Sequence, residues 1–260
     1  MDPIVLGLIV VVALNMLIFP IAYKLQTDQL TDITYALSFT SIAVYGYIAG
    51  VGSVSMLKVA LFGLVILWAV RLGYFLLIRV RKMGGDARFD QIRTNPKRFF
   101  RFFMIQGVSS WIISLPFLFR LIDNAGTEAG WSDIATIEWI GLGLAALGLI
   151  IESVADHQKS AFKDIKGNSD KLFKAGLYKI VQFPNYTGEI LFWIGIFIAS
   201  LTAISGVRWL VISSPIIIIL LLVFLSGIPP IIKSRKKRYA DNPEYQAYVS
   251  STSKLIPGIY

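Results

Sequence analysis

The sequence contains no cysteine and a single histidine, His157, and only 16% of its 260 residues are charged. Without cysteine the chain cannot form a disulfide or a thiolate metal site, and one histidine excludes a histidine-cluster centre, so we expect no metal. Hydrophobic residues make up 55% of the chain and the mean hydropathy is +0.66. This is far more apolar than a soluble domain of similar length, and it predicts a protein whose solvent is the lipid bilayer.

Seven apolar runs are long enough to cross a bilayer at about 1.5 Å per helical residue. They lie at residues 3–23, 33–50, 54–78, 99–122, 134–155, 186–205 and 207–232. The first run has no cationic start and no small-residue cleavage signal, so we expect a span rather than a removable signal peptide. The sequence has no internal repeat. We therefore predict an all-α, polytopic membrane protein of about seven spans that forms one domain over residues 1–260.

The basic residues are concentrated in a few segments. Of the 25 Lys and Arg residues, 20 lie within residues 79–101, 156–183 and 233–254. With seven spans these segments share one side, so the positive-inside rule predicts an outer N-terminus and a cytoplasmic C-terminus. The net charge of +9 then reflects topology and phosphate contacts, not nucleic-acid binding. The predicted partners are the bilayer and a hydrophobic small molecule.

Four polar side chains lie at membrane depth: Asp32, Arg71, Gln106 and Glu189. Each is within roughly 10 Å of the basic side at helical rise. Because polar groups are costly in lipid unless paired or hydrated, this convergence indicates a polar cavity open to the cytoplasm. Alternatively, Arg71 extends to the interface, Asp32 and Glu189 cap helices, and Gln106 bonds a neighbouring helix.

A second group of polar residues follows the fifth span. Asp156, Lys159 and Lys163 have the spacing i, i+3, i+7, so they share a face if the span continues as a helix. Two cations and an acid on one stripe suit a phosphorylated, hydroxylated ligand. Downstream, Tyr178 precedes the turn Phe183-Pro184-Asn185-Tyr186-Thr187-Gly188-Glu189. This turn brings an amide, a phenol and a carboxylate to the start of a membrane helix, which is either an anion or amide site or an ordinary helix entry.

Three segments carry a family resemblance. They are Pro-Asn-Tyr-Thr-Gly-Glu at 184–189, Asp-His-Gln-Lys-Ser-Ala-Phe at 156–162, and Asn-Pro-Glu-Tyr-Gln-Ala-Tyr at 242–248 followed by Leu-Ile-Pro at 255–257. As a set they resemble the C-terminal domain of the steroid 5α-reductases, in particular the bacterial, functionally unassigned branch. The resemblance covers residues 140–260 best. Upstream, only Trp68 to Leu72 and Gln106-Gly107 are recognisable.

The resemblance implies a seven-helix reductase in the bacterial inner membrane that binds NADPH from the cytoplasm. The substrate would be a lipid with a carbon–carbon double bond conjugated to a carbonyl. The implied cofactor contacts, carried over by position and extended to neighbouring residues, are Arg71, Asp156, Lys159, Lys163, Tyr178, Asn185, Tyr186, Glu189, Arg235 and Tyr239.

The polar residues that remain after this assignment are the candidates for polarising the substrate carbonyl. They are Asp32 and Gln106, with Tyr74 as a helper; for Tyr74, packing on Arg71 or at the membrane interface is the favoured alternative. Two features depart from the family pattern. Gln182-Phe183 stands where the bacterial branch has Arg-His, and the N-terminal half lacks the Gln-Glu pair that polarises the enone in the steroid enzymes.

Two other functions stay open. Isoprenylcysteine and phospholipid methyltransferases share this C-terminal architecture and bind S-adenosylmethionine at an Arg-His-Pro-x-Tyr-x-Gly turn. Here Arg-His is missing, whereas Asn185 and Glu189 are present, which favours the reductase. A non-catalytic lipid-binding or transport protein is the third possibility, although the chain has neither the broken half-helices nor the repeats of a secondary transporter.

Overall fold

A computed structural model describes residues 1–52, 55–83, 90–123, 130–168 and 170–259, with the side chains of all but 79–83, 90 and 91. In these ranges all regular structure is helical, in agreement with the predicted all-α class. The α-helices are α1 Pro3–Lys24, α2 Gln29–Ala49, α3 Met56–Met83, α4 Asp90–Arg93, α5 Pro96–Ile122, α6 Thr136–Asp164, α7 Pro184–Ala199, α8 Ser213–Ile219, α9 Ile228–Arg238 and α10 Pro243–Ser251. Short 3₁₀ helices cover Trp131–Asp133, Gly176–Lys179, Leu201–Ala203 and Gly206–Ile212, and Leu220–Leu225 is a π-helix.

Three helices, α1, α5 and α10, begin at an acid or amide followed by proline. The Asn95 side chain accepts a hydrogen bond from the backbone N–H of Arg98, and Pro96 begins α5. Asn242 and Pro243 begin α10 in the same way. The side-chain oxygen satisfies an unpaired N–H of the first turn, and proline has no N–H to satisfy there. Both Asn-Pro pairs therefore mark the start of a helix.

Five helical segments are long and apolar enough to cross a membrane, which supports a multi-pass membrane protein. They are Pro3–Lys24, Met56–Ile78, Pro96–Ile122, Thr136–Asp164 and Gly206–Arg238. Two of the seven predicted spans are not among them. α2 carries Asp32 and five Ser or Thr residues within its 21 residues, and α7 has only 16 residues. Sixteen residues rise about 24 Å, less than the roughly 30 Å of a bilayer core. Val54, the predicted start of the third span, lies outside the described residues.

The last predicted span, 207–232, is not one continuous α-helix. It begins as a 3₁₀ helix, continues as α8, and widens into the π-helix before Ser226 and Gly227. α9 then starts at Ile228 and is followed by Pro229 and Pro230, which cannot donate to the preceding turn. The run of apolar residues predicted a span here. The hydropathy of these residues does not reveal that the two prolines interrupt the helix.

The chain divides into two compact units: unit 1 is Met1–Leu142 with Ile196–Ile217, and unit 2 is Gly143–Gly195 with Ile218–Tyr260. In unit 1, α2 packs against α1, α3 and α5. In unit 2, α6 and α7 cross at two glycines. A Cβ on Gly188 would lie 2.5 Å from the Glu152 backbone nitrogen and 2.7 Å from the Gly148 carbonyl oxygen. Only glycine permits this backbone contact, which fixes the crossing point of the two helices.

Candidate functional site

Unit 2 gathers the polar residues predicted after the fifth span. α6 continues to Asp164, so Asp156, Lys159 and Lys163 lie on one helical face as the spacing predicted. Glu152 lies one turn before Asp156 on the same face, and both carboxylates are buried, 2% and 6% exposed. Glu152 lies at the glycine crossing of α6 and α7, so Asp156 follows this crossing by one helical turn.

The proline turn forms the start of α7, so the position of each of its residues can be counted from the first residue of that helix. Pro184 is the first residue of α7, and Glu189 is the sixth and is 7% exposed. A residue more than one turn inside the helix cannot cap it, so the capping alternative for Glu189 is wrong. Asn185 and Tyr186 are partly buried, and the Tyr186 ring stacks on Phe183 with 6.1 Å between centroids. Within the described residues, no three His, Cys, Asp or Glu side chains could hold a metal ion.

A cation lies beside this turn and comes from α9. The Arg235 guanidinium lies over the Phe183 ring, 4.8 Å from its centroid. Arg235 Nη1 is buried and has no hydrogen-bond partner among the described residues. A guanidinium stacked on an aromatic face can still donate sideways from its N–H groups. Nη1 is therefore an available donor in a protected place.

A second available donor is the hydroxyl of Tyr178. This residue is 1% exposed, and in the described part of the chain its Oη has no hydrogen-bond partner. Burial raises the pKa of the Tyr178 phenol well above its usual range, and the Asp156 carboxylate raises it further, whereas Arg235 lowers it. The phenol therefore stays protonated and can donate. Since both Asp156 and Arg235 act on the pKa of this phenol, the hydroxyl lies within electrostatic range of both groups.

The position of Tyr178 is fixed by neighbours on three sides. Its carbonyl accepts a hydrogen bond from the Tyr248 hydroxyl on α10 at 2.6 Å. The N–H of Leu177 donates to Gln158 Oε1 at 3.0 Å. Gly176, with φ +58°, has no room for a Cβ beside Gln158. These contacts hold the 3₁₀ turn in place. The backbone around Tyr178 is therefore well supported, whereas its hydroxyl has no hydrogen-bond partner among the described residues.

Lys163 and Tyr239 hold the loop after α6. The Lys163 ammonium donates to the carbonyl oxygens of Asn168 at 3.3 Å and Lys171 at 2.5 Å. The Tyr239 hydroxyl donates to the Asp170 carbonyl oxygen at 2.5 Å. Lys159 lies 6.0 Å from the centroid of the Tyr178 ring, at the outer limit of a cation–π contact. These predicted cofactor residues therefore lie together in unit 2. Two of them, Lys163 and Tyr239, already donate hydrogen bonds to backbone carbonyls.

The other predicted residues lie in unit 1. Gln106 Nε2 donates to the Thr31 carbonyl oxygen on α2 at 3.0 Å, so this amide does bond a neighbouring helix. Asp32 follows in the first turn of α2 and is partly buried. Arg71 is partly buried on α3, whereas Tyr74, three residues on, is 67% exposed. The roles predicted for these four residues stay predictions.

Three contributors were not singled out from the sequence. Glu152 is an ionisable residue inside an apolar run, and the rule that selected Asp32 and Glu189 could have found it. Phe183 was noted only as a departure from the family pattern, yet it supports Arg235. Tyr248 lies in the tail motif at 242–248, but nothing in that motif indicates that its hydroxyl reaches Tyr178.

The sequence matches one family, described as "Protein of unknown function (DUF1295)", over residues 18–252. No curated protein and no solved structure matches the chain. Since the matched region covers both units almost completely, the chain belongs to this family.

Proposed function

We propose that this protein is a membrane-embedded, NADPH-dependent reductase of a carbon–carbon double bond conjugated to a carbonyl in a lipid, such as a steroid, a sterol or an isoprenoid-like compound. The observation that carries the proposal is a pair of buried donors, Tyr178 Oη and Arg235 Nη1, that have no hydrogen-bond partner in the described part of the chain and lie within electrostatic range of each other. A buried polar group without a partner is costly and calls for an explanation, and a bound anion or amide oxygen would satisfy both.

The charge of unit 2 favours a polyanionic cofactor. Its sequence contains twelve Lys and Arg residues and seven Asp and Glu residues. A dinucleotide phosphate carries several negative charges, and Arg is well suited to phosphate oxygens. Asp156 and Glu189, both carboxylates, are suited to accept from ribose hydroxyls or from the nicotinamide amide. Lys159, Lys163, Asn185, Tyr186 and Tyr239 complete the proposed site, and Arg71 is included through the family resemblance.

When bound, NADPH would supply a hydride to the β-carbon of the enone, and a proton then adds at the α-carbon. The chain's own contribution is to hold a hydrogen-bond donor at the carbonyl oxygen, where negative charge develops. Asp32 as the carboxylic acid, the Gln106 amide and the Tyr74 hydroxyl are the proposed donors. A hydrogen bond from a fixed donor to the negative charge that develops on the enolate oxygen is stronger in an apolar interior than in water.

The proposed topology has seven spans, with the N-terminus outside and the basic segments and C-terminus in the cytoplasm of a bacterial inner membrane. A reporter fused after residue 260 should be cytoplasmic, and one inserted near residue 126 should be outside. Residue 126 and the acidic Glu128 lie outside the described residues. Both reporters on the same side would contradict the seven-span topology.

S-adenosylmethionine is the second candidate ligand because of one specific observation. Three carboxylates, Glu152, Asp156 and Glu189, are buried in unit 2. Buried acids are suited to a cationic sulfonium or amino group, and this is the charge that a methyl donor carries. A phosphate of the dinucleotide and the carboxylate of S-adenosylmethionine can each accept from the two buried donors, so these donors do not discriminate between the ligands; the excess of basic residues in unit 2 favours the dinucleotide.

A cofactor titration separates these functions. Full-length protein in nanodiscs is titrated with NADPH, NADH and S-adenosylmethionine, and binding is followed by calorimetry. We expect NADPH to bind, and we expect anaerobic NADPH oxidation at 340 nm with a 3-keto-Δ4 steroid. Arg235→Gln should weaken NADPH by at least about tenfold, as expected for a charge-assisted hydrogen bond.

Lys174→Ala is the matched control for Arg235→Gln. It removes the same charge from unit 2, but Lys174 is in an exposed ion pair with Glu244. Exposed pairs contribute little, so NADPH affinity should change less than about threefold. Binding of S-adenosylmethionine without NADPH would support the methyltransferase, and binding of neither would support a lipid-binding or transport protein.

A further inference from the structure

Helix α9 has one side that packs on the rest of unit 2. Ile228, Ile231 and Ile232 belong to the apolar cluster that contains Phe183. Arg235 follows on the same side, one turn further along, and its guanidinium lies over the Phe183 ring at 4.8 Å from the centroid. The spacing i, i+3, i+4, i+7 is that of an amphipathic helix, so the opposite side of α9 faces away from this cluster.

The opposite side of α9 carries three lysines. Lys233, Lys236 and Lys237 are exposed, and their spacing i, i+3, i+4 places them on one face. Among the described residues, none of the three has a hydrogen-bond or ion-pair partner. Arg238, which follows them, lies 3.5 Å from a carboxylate oxygen of Asp170. The three lysines therefore form a basic surface that the protein itself does not neutralise, and we call it the lysine face.

Two general effects explain only part of this arrangement. The positive-inside rule accounts for basic residues on one side of a membrane, but it does not depend on the helical face that they occupy. The helix dipole stabilises cations in the last turn, whereas Lys233 lies in the middle of the eleven residues of α9. Like charges three and four residues apart destabilise a helix, and residues 228–240 contain no Asp or Glu to offset them. An anionic partner outside the helix offsets this repulsion.

The exposed residues directly before α9 are apolar. Leu220, Phe224 and Leu225 are 44%, 62% and 65% exposed. They belong to the last segment that is long and apolar enough to cross a membrane, so acyl chains of the bilayer cover them. A nucleic acid or an acidic protein fits the lysine face but not these neighbours. An amphiphile with acyl chains and an anionic head group fits both.

We propose that the lysine face binds the head groups of anionic phospholipids in the leaflet next to α9. Each lysine ammonium is a compact charge with three donors, and it binds phosphate without a fixed geometry. Clusters of basic residues next to a membrane helix attract anionic lipids in this way. The lipid site lies on the opposite side of α9 from Arg235, and it does not depend on the reductase function.

The test measures the binding of single lipids to full-length protein in detergent by native mass spectrometry, without cofactor. Phosphatidylglycerol and phosphatidylcholine with the same acyl chains are titrated separately, and the dissociation constants of the first bound lipid are compared. A basic residue near an anionic lipid contributes about fivefold in affinity. The wild type should therefore bind phosphatidylglycerol at least about tenfold more tightly, and the ratio should fall at about 1 M salt. In the triple variant Lys233→Gln, Lys236→Gln and Lys237→Gln, the ratio should fall below about threefold.

Two further triple variants are the controls. Arginine at the same three positions keeps the charge and should keep the preference for phosphatidylglycerol. Lys166→Gln, Lys171→Gln and Lys174→Gln together remove the same charge from three exposed positions in the loop after α6, and they should keep the ratio of the wild type. Glutamine is a good helix former, and the single variant Lys237→Gln, with a ratio at least about twofold lower than the wild type, replaces the glutamine triple variant of α9 if that protein does not fold.

Three outcomes overturn the proposal. The first is a ratio near one in the wild type. The second is an unchanged ratio in the glutamine variant of α9, or an equal loss in the loop variant. The third is binding of glycerol 3-phosphate as tight as that of phosphatidylglycerol, which would assign the lysine face to a soluble anion. Since no cofactor is present, NADPH binding alongside any of these results would leave the proposed function standing.

Discussion

The buried hydroxyl of Tyr178 leads to a prediction with opposite effects on stability and on binding. Tyr178→Phe removes a polar atom that has no hydrogen-bond partner among the described residues, and it keeps the ring that packs against Phe173 with 5.2 Å between centroids. Removing an unsatisfied buried group stabilises the fold by about 1 to 3 kcal/mol. The same change removes a donor to the proposed cofactor, which costs about 1.5 to 3 kcal/mol if the acceptor is charged. The variant should therefore be more stable without cofactor and bind NADPH about tenfold or more weakly.

Thermal unfolding followed by tryptophan fluorescence and NADPH calorimetry measure the two effects on the same samples. For a chain of this size, 1 kcal/mol corresponds to roughly 2 to 4 °C in Tm. Tyr248→Phe is the matched control: its hydroxyl donates to the Tyr178 carbonyl, and burial raises the pKa of this phenol to about 12. Its loss leaves a buried carbonyl unpaired, so this variant should be less stable by about 1 kcal/mol or more.

The two variants together can refute the reasoning. If Tyr178→Phe lowers Tm as Tyr248→Phe does, then the hydroxyl has a partner, such as water, in the protein alone. If NADPH affinity is unchanged while Tm rises, then Tyr178 does not contact the cofactor, and the buried donor pair no longer supports the reductase. Equal loss of affinity in both variants would assign the effect to the position of the 3₁₀ turn, because Tyr248 supports only the backbone.

The remaining predictions concern the α6–α7 crossing and the cofactor site. Gly188→Ala should destabilise the protein by about 1 to 3 kcal/mol in chemical or thermal unfolding, because the added Cβ meets the backbone of α6. Gly143→Ala is the control. Its Cβ meets nothing within 4 Å, so this variant should be as stable as the wild type or more stable. Lys163→Ala should weaken NADPH by about 1.5 to 3 kcal/mol, and NADH far less, if the ammonium contacts the 2′-phosphate; equal loss in calorimetry would leave it only the role of holding the 165–171 loop. Glu189→Gln should stay folded and lose one to two orders of magnitude in turnover, roughly 1.4 to 2.7 kcal/mol, if the carboxylate orients the nicotinamide; turnover at the wild-type rate would make it structural.

Much of the fold could be predicted from apolar runs and from local signals at helix starts. The spacing of Asp156, Lys159 and Lys163 predicted a shared face on condition that the helix continued beyond residue 155, and α6 does continue to Asp164. The shortness of α7 could not be seen, since apolar residues continue beyond Ala199 while the backbone changes to 3₁₀ helix. Hydropathy reports which residues avoid water, and it is insensitive to the hydrogen-bond pattern that ends a helix.

The candidate site was predictable in its residue types and much less in its hydrogen bonds. Charge and spacing pointed to Lys163, but the two carbonyls that it holds come from a loop with no recognisable pattern. Likewise, no sequence signal indicates that Tyr178 Oη lacks a partner. Whether a buried polar atom has a hydrogen-bond partner depends on residues from several helices and loops, and these residues come together only in the folded structure.

Gln182 and Phe183, which stand immediately before α7, make different contacts at this turn. The Gln182 amide donates to the Val249 and Thr252 carbonyl oxygens, so it ties the turn to the end of α10 and carries no charge. Phe183 offers a ring to Arg235, which thereby supplies a cation to the same turn from α9. A protonated histidine at this place would repel that guanidinium, whereas an aromatic face attracts it. The cation at this turn is therefore supplied by α9, which begins directly after the break at Ser226 and Gly227.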